Sequence, residues 1–278
     1  MSPRRARTLS ILAVGALILA TAAAGAGEPA AAAPADSAVA RTDTSLARLP
    51  VPPFGVGERL VFSINYGAVN AGEGVLEITR MEEFQGHRCY RVESTASSNR
   101  FFSGFYRVRD KVVSYIDEEG LFSRYFMKRL REGSYRKTVE IEFDHTAAVA
   151  RYHDGREFET VAGVHDVLSG FYFVRTLDLE VGRDVFLSAH SSRETYDLRV
   201  IVHSRQTVET GLGSFDCFVI QPVMVGEGIF KHEGDLMIYL TADERRIPVL
   251  VKSELPVGSV SVELSEYRLA PRGEQGRD

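Results

Sequence analysis

Alternation of apolar and polar residues with period two dominates the chain from Phe54 onward. Leu60, Phe62, Ile64 and Tyr66 fall on one side of an extended backbone, and Arg59, Ser63 and Asn65 on the other. That is the pattern of a strand with one buried face. Tyr135 to Phe143 is the cleanest case. Val139, Ile141 and Phe143 share one side, and Arg136, Thr138, Glu140 and Glu142 the opposite one. Tyr196, Leu198, Val200 and Val202 repeat it, as do Val260, Val262 and Leu264. Turn-forming groups separate the runs: Asn70-Ala71-Gly72, Gln85-Gly86, Glu118-Glu119-Gly120, Glu132-Gly133, Asp154-Gly155, Gly211-Leu212-Gly213 and Val257-Gly258. Spacers this short favour antiparallel hairpins.

One segment changes period. Val164, Val167, Leu168, Phe171 and Leu177 lie near helical spacing, with Asp166 in the first turn and Arg175 in the last, where their charges suit the helix dipole. The spacing predicts one helix over 164–177, bounded by Gly163 and Gly182 and weakened by Gly170. It divides two stretches of similar order. Cys89-Tyr90-Arg91-Val92 answers to Cys217-Phe218-Val219-Ile220, and Tyr115-Ile116-Asp117 to Tyr239-Leu240-Thr241. In each half a turn, a strand ending near Lys128 or Lys252, a Gly turn and an alternating strand follow. The expected fold is therefore mainly β: a strongly curved antiparallel sheet or barrel built from two related meanders, 54–160 and 183–270, with one connecting helix.

The N-terminal region reads differently. Arg4, Arg5 and Arg7 precede an apolar run from Leu9 to Ala24, and Ala24-Gly25-Ala26 offers a small-x-small cleavage pattern. Residues 1–26 are expected to be a secretion signal, since the run is shorter than the roughly 20 residues of a spanning helix. Residues 27–53, rich in Ala, Pro, Ser and Thr, read as a disordered tether, and 271–278 as a disordered tail. Cysteine occurs only at Cys89 and Cys217, so no lipidated Cys follows the signal. The expected location is the periplasm, with no transmembrane span in the mature form. A net charge of −5 argues against a nucleic-acid partner.

Catalytic signatures are missing. The chain has no G-x-S-x-G elbow, no P-loop and no dinucleotide fingerprint in a strand–helix setting. His232-Glu233 opens like a zincin motif, but Leu236 stands where the second His is needed. The seven histidines form no short-spaced pair, so neither a metal nor a cofactor is expected. In an oxidising compartment Cys89 and Cys217 are candidates for a disulfide; a loop so long would add about 4–5 kcal/mol in the chain-entropy limit. The alternative is two buried free thiols on related strands.

Two clusters suggest binding. Phe101, Phe102, Phe105 and Tyr106, flanked by Arg100 and Arg107, either line the mouth of an apolar pocket or pack as core. Arg124, Lys128, Arg129, Arg131, Arg136 and Lys137 concentrate positive charge on one predicted hairpin. They either meet anionic headgroups or glycans, or form cross-strand ion pairs with Glu132, Glu140 and Glu142, the commoner arrangement. Phe101, Phe102, Phe105, Tyr106, Arg124 and Lys128 are the ligand-contact candidates.

Three segments carry a family resemblance: Val56-Gly57-Glu58-Arg59-Leu60 on to Ala71-Gly72; Asp166 to Arg175; and Asp243-Glu244-Arg245-Arg246-Ile247-Pro248-Val249 with Gly258 and Leu264. In order and spacing they resemble the bacterial domain of unknown function 3108, a family of exported proteins, over about residues 54–269. The resemblance implies export and a β-rich fold and supplies no catalytic residues. Asp166, Arg175 and Pro248 have structural readings, Pro248 at a sheet edge or bulge because it cannot donate a ladder hydrogen bond. The expected function is non-enzymatic: binding of an apolar or amphipathic envelope molecule, a lipid or lipid-linked glycan, on the concave β-surface. The alternatives are a scaffold for another envelope protein and, less favoured, a hydrolase with a dispersed site.

Overall fold

The computed structural model describes residues 51–225, 236–254 and 258–271. The expected signal, nearly all of the tether and the tail, together with Gly226-Glu227-Gly228 and His232-Glu233, lie outside the described residues.

Period-two alternation produces one antiparallel sheet of 14 strands. The first meander is β1 (Arg59–Tyr66), β2 (Val69–Phe84), β3 (His87–Ser98), β4 (Arg109–Asp117), β5 (Ser123–Glu132), β6 (Tyr135–Asp144), β7 (Val149–Tyr152) and β8 (Glu157–Glu159). The second is β9 (Val185–Ser191), β10 (Glu194–Thr210), β11 (Gly213–Val225), β12 (Leu236–Thr241), β13 (Pro248–Glu254) and β14 (Ser259–Arg268). Each meander is ordered as in the sequence, and β1 pairs with β14 to join them, so β8 and β9 are the two ends of the ladder. The sheet is curved and not closed. Side chains span its ends: the Tyr152 hydroxyl is 3.0 Å from His190 Nε2, and Thr195 Oγ1 donates to the Glu159 carbonyl at 3.1 Å.

The inward phase read from the sequence holds. Leu60, Phe62 and Ile64, then Ile141 and Phe143, then Val200 and Val202, then Val260, Val262 and Leu264 are all buried. Gln85 and Gly86 both take positive φ, the backbone of a two-residue hairpin whose twist matches its strands. Asn70-Ala71-Gly72 is not the turn. The chain reverses at Gly67 and Ala68, and those three residues run within β2, beside a register shift at Ile64/Asn65. Gly72 is needed there for proximity: a Cβ would lie 2.1 Å from the Ser97 carbonyl oxygen.

The two meanders also share their irregularities. Register shifts occur at Ile78/Arg80 against β3 and at Val202/Ser204 against β11, each just before the Cys-bearing strand pairs on. A second matched pair falls at Tyr115/Ile116 and Tyr239/Leu240. Pro248 opens β13 opposite Leu240 at the latter.

Two helices occur among the described residues, one more than the sequence predicts. The added one, α1 (Arg100–Ser103), is a single turn within the aromatic cluster, capped by the Asn99 side chain accepting from Phe102 N at 2.9 Å. The predicted helix is shorter than its apolar spacing, α2 (Val167–Arg175). His165 instead runs extended beside β9, accepting from His190 N and donating to the Ser188 carbonyl. Leu168, Tyr172 and Arg175 are fully buried, and α2 packs on the concave side against both β9 and β4. No helix among the described residues is long and apolar enough to cross a membrane.

Candidate functional site

The concave side holds three distinct environments. The first surrounds the two ends of α2. Asp166 is its N-cap: one carboxylate oxygen accepts from Leu168 N (2.7 Å) and Ser169 N (3.1 Å), the other from Ser114 Oγ (2.6 Å) and Ser123 Oγ (2.5 Å). Burial pushes this carboxyl up against the pull of those four bonds. At the other end Arg175 makes a two-pronged pair with Glu58, 2.7 and 2.9 Å, with both side chains wholly buried. The Tyr172 hydroxyl also donates to Glu58 (3.3 Å), and Arg175 donates to the Arg245 carbonyl (3.2 Å). The rings of Tyr172 and Phe54 lie 4.9 and 5.3 Å from the guanidinium. Glu58, Asp166 to Arg175, and Arg245 belong to the three segments that carry the family resemblance. They meet on one helix, where Glu58 pairs with Arg175 and Asp166 accepts four hydrogen bonds, so this environment anchors the helix.

The second environment is mainly apolar, with Asp166 of the first environment also in its lining. Val167, Gly170, Phe171 and Val174 of α2 face Leu187 and Ala189 of β9, Tyr196, Leu198 and Val200 of β10, Ile220 and Pro222 of β11, and Leu236 and Ile238 of β12. They line a cleft that opens to solvent and encloses about 70 Å³. Gly170 sets the approach of α2 to β9, because a Cβ would stand 3.1 Å from Leu187 Cδ1. Val167, Phe171, Tyr196, Leu198 and Leu236 are half-buried and form the rim. Desolvation pushes the Tyr196 phenol up to about 12, so its hydroxyl stays protonated and able to donate.

The third environment lies inside the first meander, where β4 and β5 run toward the β5–β6 hairpin. Asp110 and Glu132, 3% and 5% exposed, are close enough to act on each other's charge; Asp110 Oδ1 accepts from Arg131 N at 2.6 Å and its Oδ2 has no hydrogen-bond partner. Two buried carboxyls that repel each other's charge favour the protonated form. Desolvation, then the Asp110 charge, pushes Glu132 up to about 8. Tyr106 hydrogen-bonds to Glu132, and Lys128 lies near enough to favour its charged form. Lys128 is itself turned inward and pressed down to about 8 by burial.

The six ligand-contact candidates are dispersed among these places. None lines the apolar pocket. Tyr106 and Lys128 join the buried carboxyl pair. Arg124 sits at the other end of β5, bound to Asp117 at 2.7 Å and stacked over Phe122. Phe101 and Phe105 are 68% and 82% exposed, so the packed-core alternative does not describe them, and Phe102 is half-buried. The favoured cross-strand ion pairs are also not formed: Glu140 accepts from Tyr125 and Glu142 from Gln85, while Glu132 faces Asp110. Cys89 and Cys217 are free, each buried, with thiols pushed up to about 11 by desolvation. They occupy β3 and β11, separated in the ladder by β2, β1, β14, β13 and β12, so the bridge considered from sequence is not made.

The pocket residues were visible only as strand alternation, since nothing in a single strand tells a lined cavity from a filled core. Asp110 and Glu132 did leave a signal. Asp110 is in phase with Val108 and Val112, and Glu132 with Phe126 and Lys128, so charged residues occupy inward positions. Among the described residues no three His, Cys, Asp or Glu are gathered to hold a metal.

The fold has counterparts among solved structures. A β-barrel-like protein of the domain of unknown function DUF1849 from Brucella abortus superposes with a TM-score of 0.52 at 8% identity, covering 78% of this chain and 99% of that one. A DUF1089-family protein from Pseudomonas aeruginosa gives 0.38 at 13% identity, covering 69% and 92%. At these identities the likeness concerns the fold alone, and in the second case it is too slight to argue from. No curated protein matches this chain in sequence. Residues 61–265 match the family described as protein of unknown function (DUF3108), and the chain belongs to that family.

Proposed function

We propose that this is an exported, non-enzymatic envelope protein that holds the apolar part of a lipid or lipid-linked molecule in the pocket beneath α2. The observation that carries the reading is the lining: four aliphatic or aromatic surfaces from α2, β9, β10 and β11–β12 face one another across unfilled space. Sites for small apolar ligands are concave, mostly apolar and provided with few polar groups. Here Tyr196 at the rim supplies a donor for a headgroup or ester oxygen. The leader-like residues 1–26 support export. The matched register shifts of the two meanders favour their origin by duplication.

The test uses cis-parinaric acid, a fluorescent fatty acid, together with native mass spectrometry of the protein purified from its envelope. The expected results are a co-purifying lipid mass and saturable probe binding that Ala189→Phe abolishes by filling the space. A protein that carries no lipid and shows no saturable probe binding would end this reading.

A further inference from the structure

The loop joining β3 to β4 and the β5–β6 hairpin form one packed tip. Gly133 N donates to the Arg107 carbonyl at 2.8 Å, and the Tyr106 ring lies so close over Gly133 that a Cβ would be 2.7 Å from it. The loop is held from below as well. Asn99 Nδ2 donates to the Asn70 carbonyl (2.6 Å), and Ser98 Oγ lies 2.8 Å from Ser103 Oγ and accepts from Val108 N at 2.9 Å. This bracing presents Phe101 and Phe105 to solvent, their rings 5.6 Å apart, with Tyr135 47% exposed on the adjoining hairpin.

Charge on the same tip has one sign. Arg100, Arg107, Arg109, Arg129, Arg131, Arg136 and Lys137 are exposed, and none makes an ion pair with a described carboxylate. Arg136 spends its donors on the Gly133 and Tyr135 carbonyls. The two acids of these stretches, Asp110 and Glu132, are buried inside. The nearest exposed acid in register is Glu73, opposite Ser97, whose other neighbour is Arg109. The whole chain carries −5, so this tip is positive against an acidic body. Exposed aromatic side chains ringed by Arg and Lys match the interface of a bilayer with anionic headgroups, and the acidic body is repelled from the same surface.

We propose that the tip docks the protein on an anionic lipid bilayer, with Phe101 and Phe105 entering the headgroup layer and the surrounding cations meeting lipid phosphates. The braced loop keeps both rings exposed in the free protein, so docking requires no unfolding of the sheet.

Co-sedimentation of the protein purified from its envelope with vesicles tests this. Binding is expected to vesicles of phosphatidylcholine mixed with phosphatidylglycerol, to weaken with salt, and to be far lower for phosphatidylcholine alone. Arg131→Glu with Arg136→Glu removes two of the cations, each contributing about fivefold, and should weaken binding at least twenty-fivefold. Phe101→Ser with Phe105→Ser should also weaken it, with circular dichroism unchanged because both rings are exposed. Unchanged binding in both variants overturns the proposal. So does loss on charge reversal with full binding by the Phe variant, which marks a site for soluble polyanions. Ala189→Phe should leave vesicle binding intact, which separates this result from the pocket.

Discussion

Glu58 and Glu132 are both buried glutamates facing the concave side, and they are stabilised in opposite ways. Glu58 meets a guanidinium, itself covered by the Phe54 and Tyr172 rings, and a phenol hydroxyl, so its charge is matched in place. Glu132 meets another carboxyl and a partly neutralised lysine, so it keeps a proton instead. The first arrangement fixes the C-terminal end of α2 through a matched charge pair. The second makes the interior of the first meander sensitive to pH. Burial of an acid therefore does not define its role; the sign of its nearest partner does.

The largest expected effect comes from breaking the matched pair. Arg175→Met leaves Glu58 buried without a counter-charge and should destabilise the protein by about 3–5 kcal/mol in urea unfolding. Replacing both, Glu58→Met with Arg175→Met, should recover most of that loss. If the double variant is no better than the single, the pair is not the source of the effect. Asp166→Ala comes next. It removes the cap and leaves the hydroxyls of Ser114 and Ser123 without their shared acceptor, a loss of about 2–4 kcal/mol by the same measurement.

The carboxyl pair should show itself as a pH slope. Glu132 binds its proton more tightly folded than unfolded, because its value rises from 4.5 to about 8. Between those values the native state holds more protons, so stability falls as pH rises. His190, pressed down to about 4 by burial, works in the opposite direction below pH 6.5, and Lys128 adds stability only above pH 8. The interval from pH 6.5 to 8 therefore belongs to the acid pair. Unfolding midpoints should decline across it in the wild type and run flat in Glu132→Gln; a flat wild-type profile would remove the contrast between the two glutamates. The smallest effect concerns reactivity alone. Cys89 and Cys217 should resist thiol reagents in the native protein and give two equivalents once unfolded, with or without reductant.

Strand phase was legible wherever one face is buried and the other wet, because a side chain's direction in a strand alternates without regard to the rest of the fold. Leu60, Ile141, Val200 and Val262 illustrate it. Asp166 and Arg175 were read as charges of the first and last turns; the structure makes Asp166 the N-cap and Arg175 the last residue of α2. The helix itself was over-extended by two to three residues at each end, because Val164 and Leu177 are buried at helical spacing yet lie outside α2. The aromatic cluster was found, but its exposure was not.

The sequence by itself determined the class of fold, the antiparallel order of hairpins, the division around one helix and the membership in a family. These rest on contacts between residues near in the chain, where spacing sets geometry. Only the tertiary structure decided that Glu58 reaches Arg175, that Glu132 reaches Asp110, that α2 stands off β10 to leave a pocket, and that Cys89 stays apart from Cys217. Each of those depends on how far the sheet curves before its two ends meet. Curvature is summed over 14 strands, and no single strand encodes it.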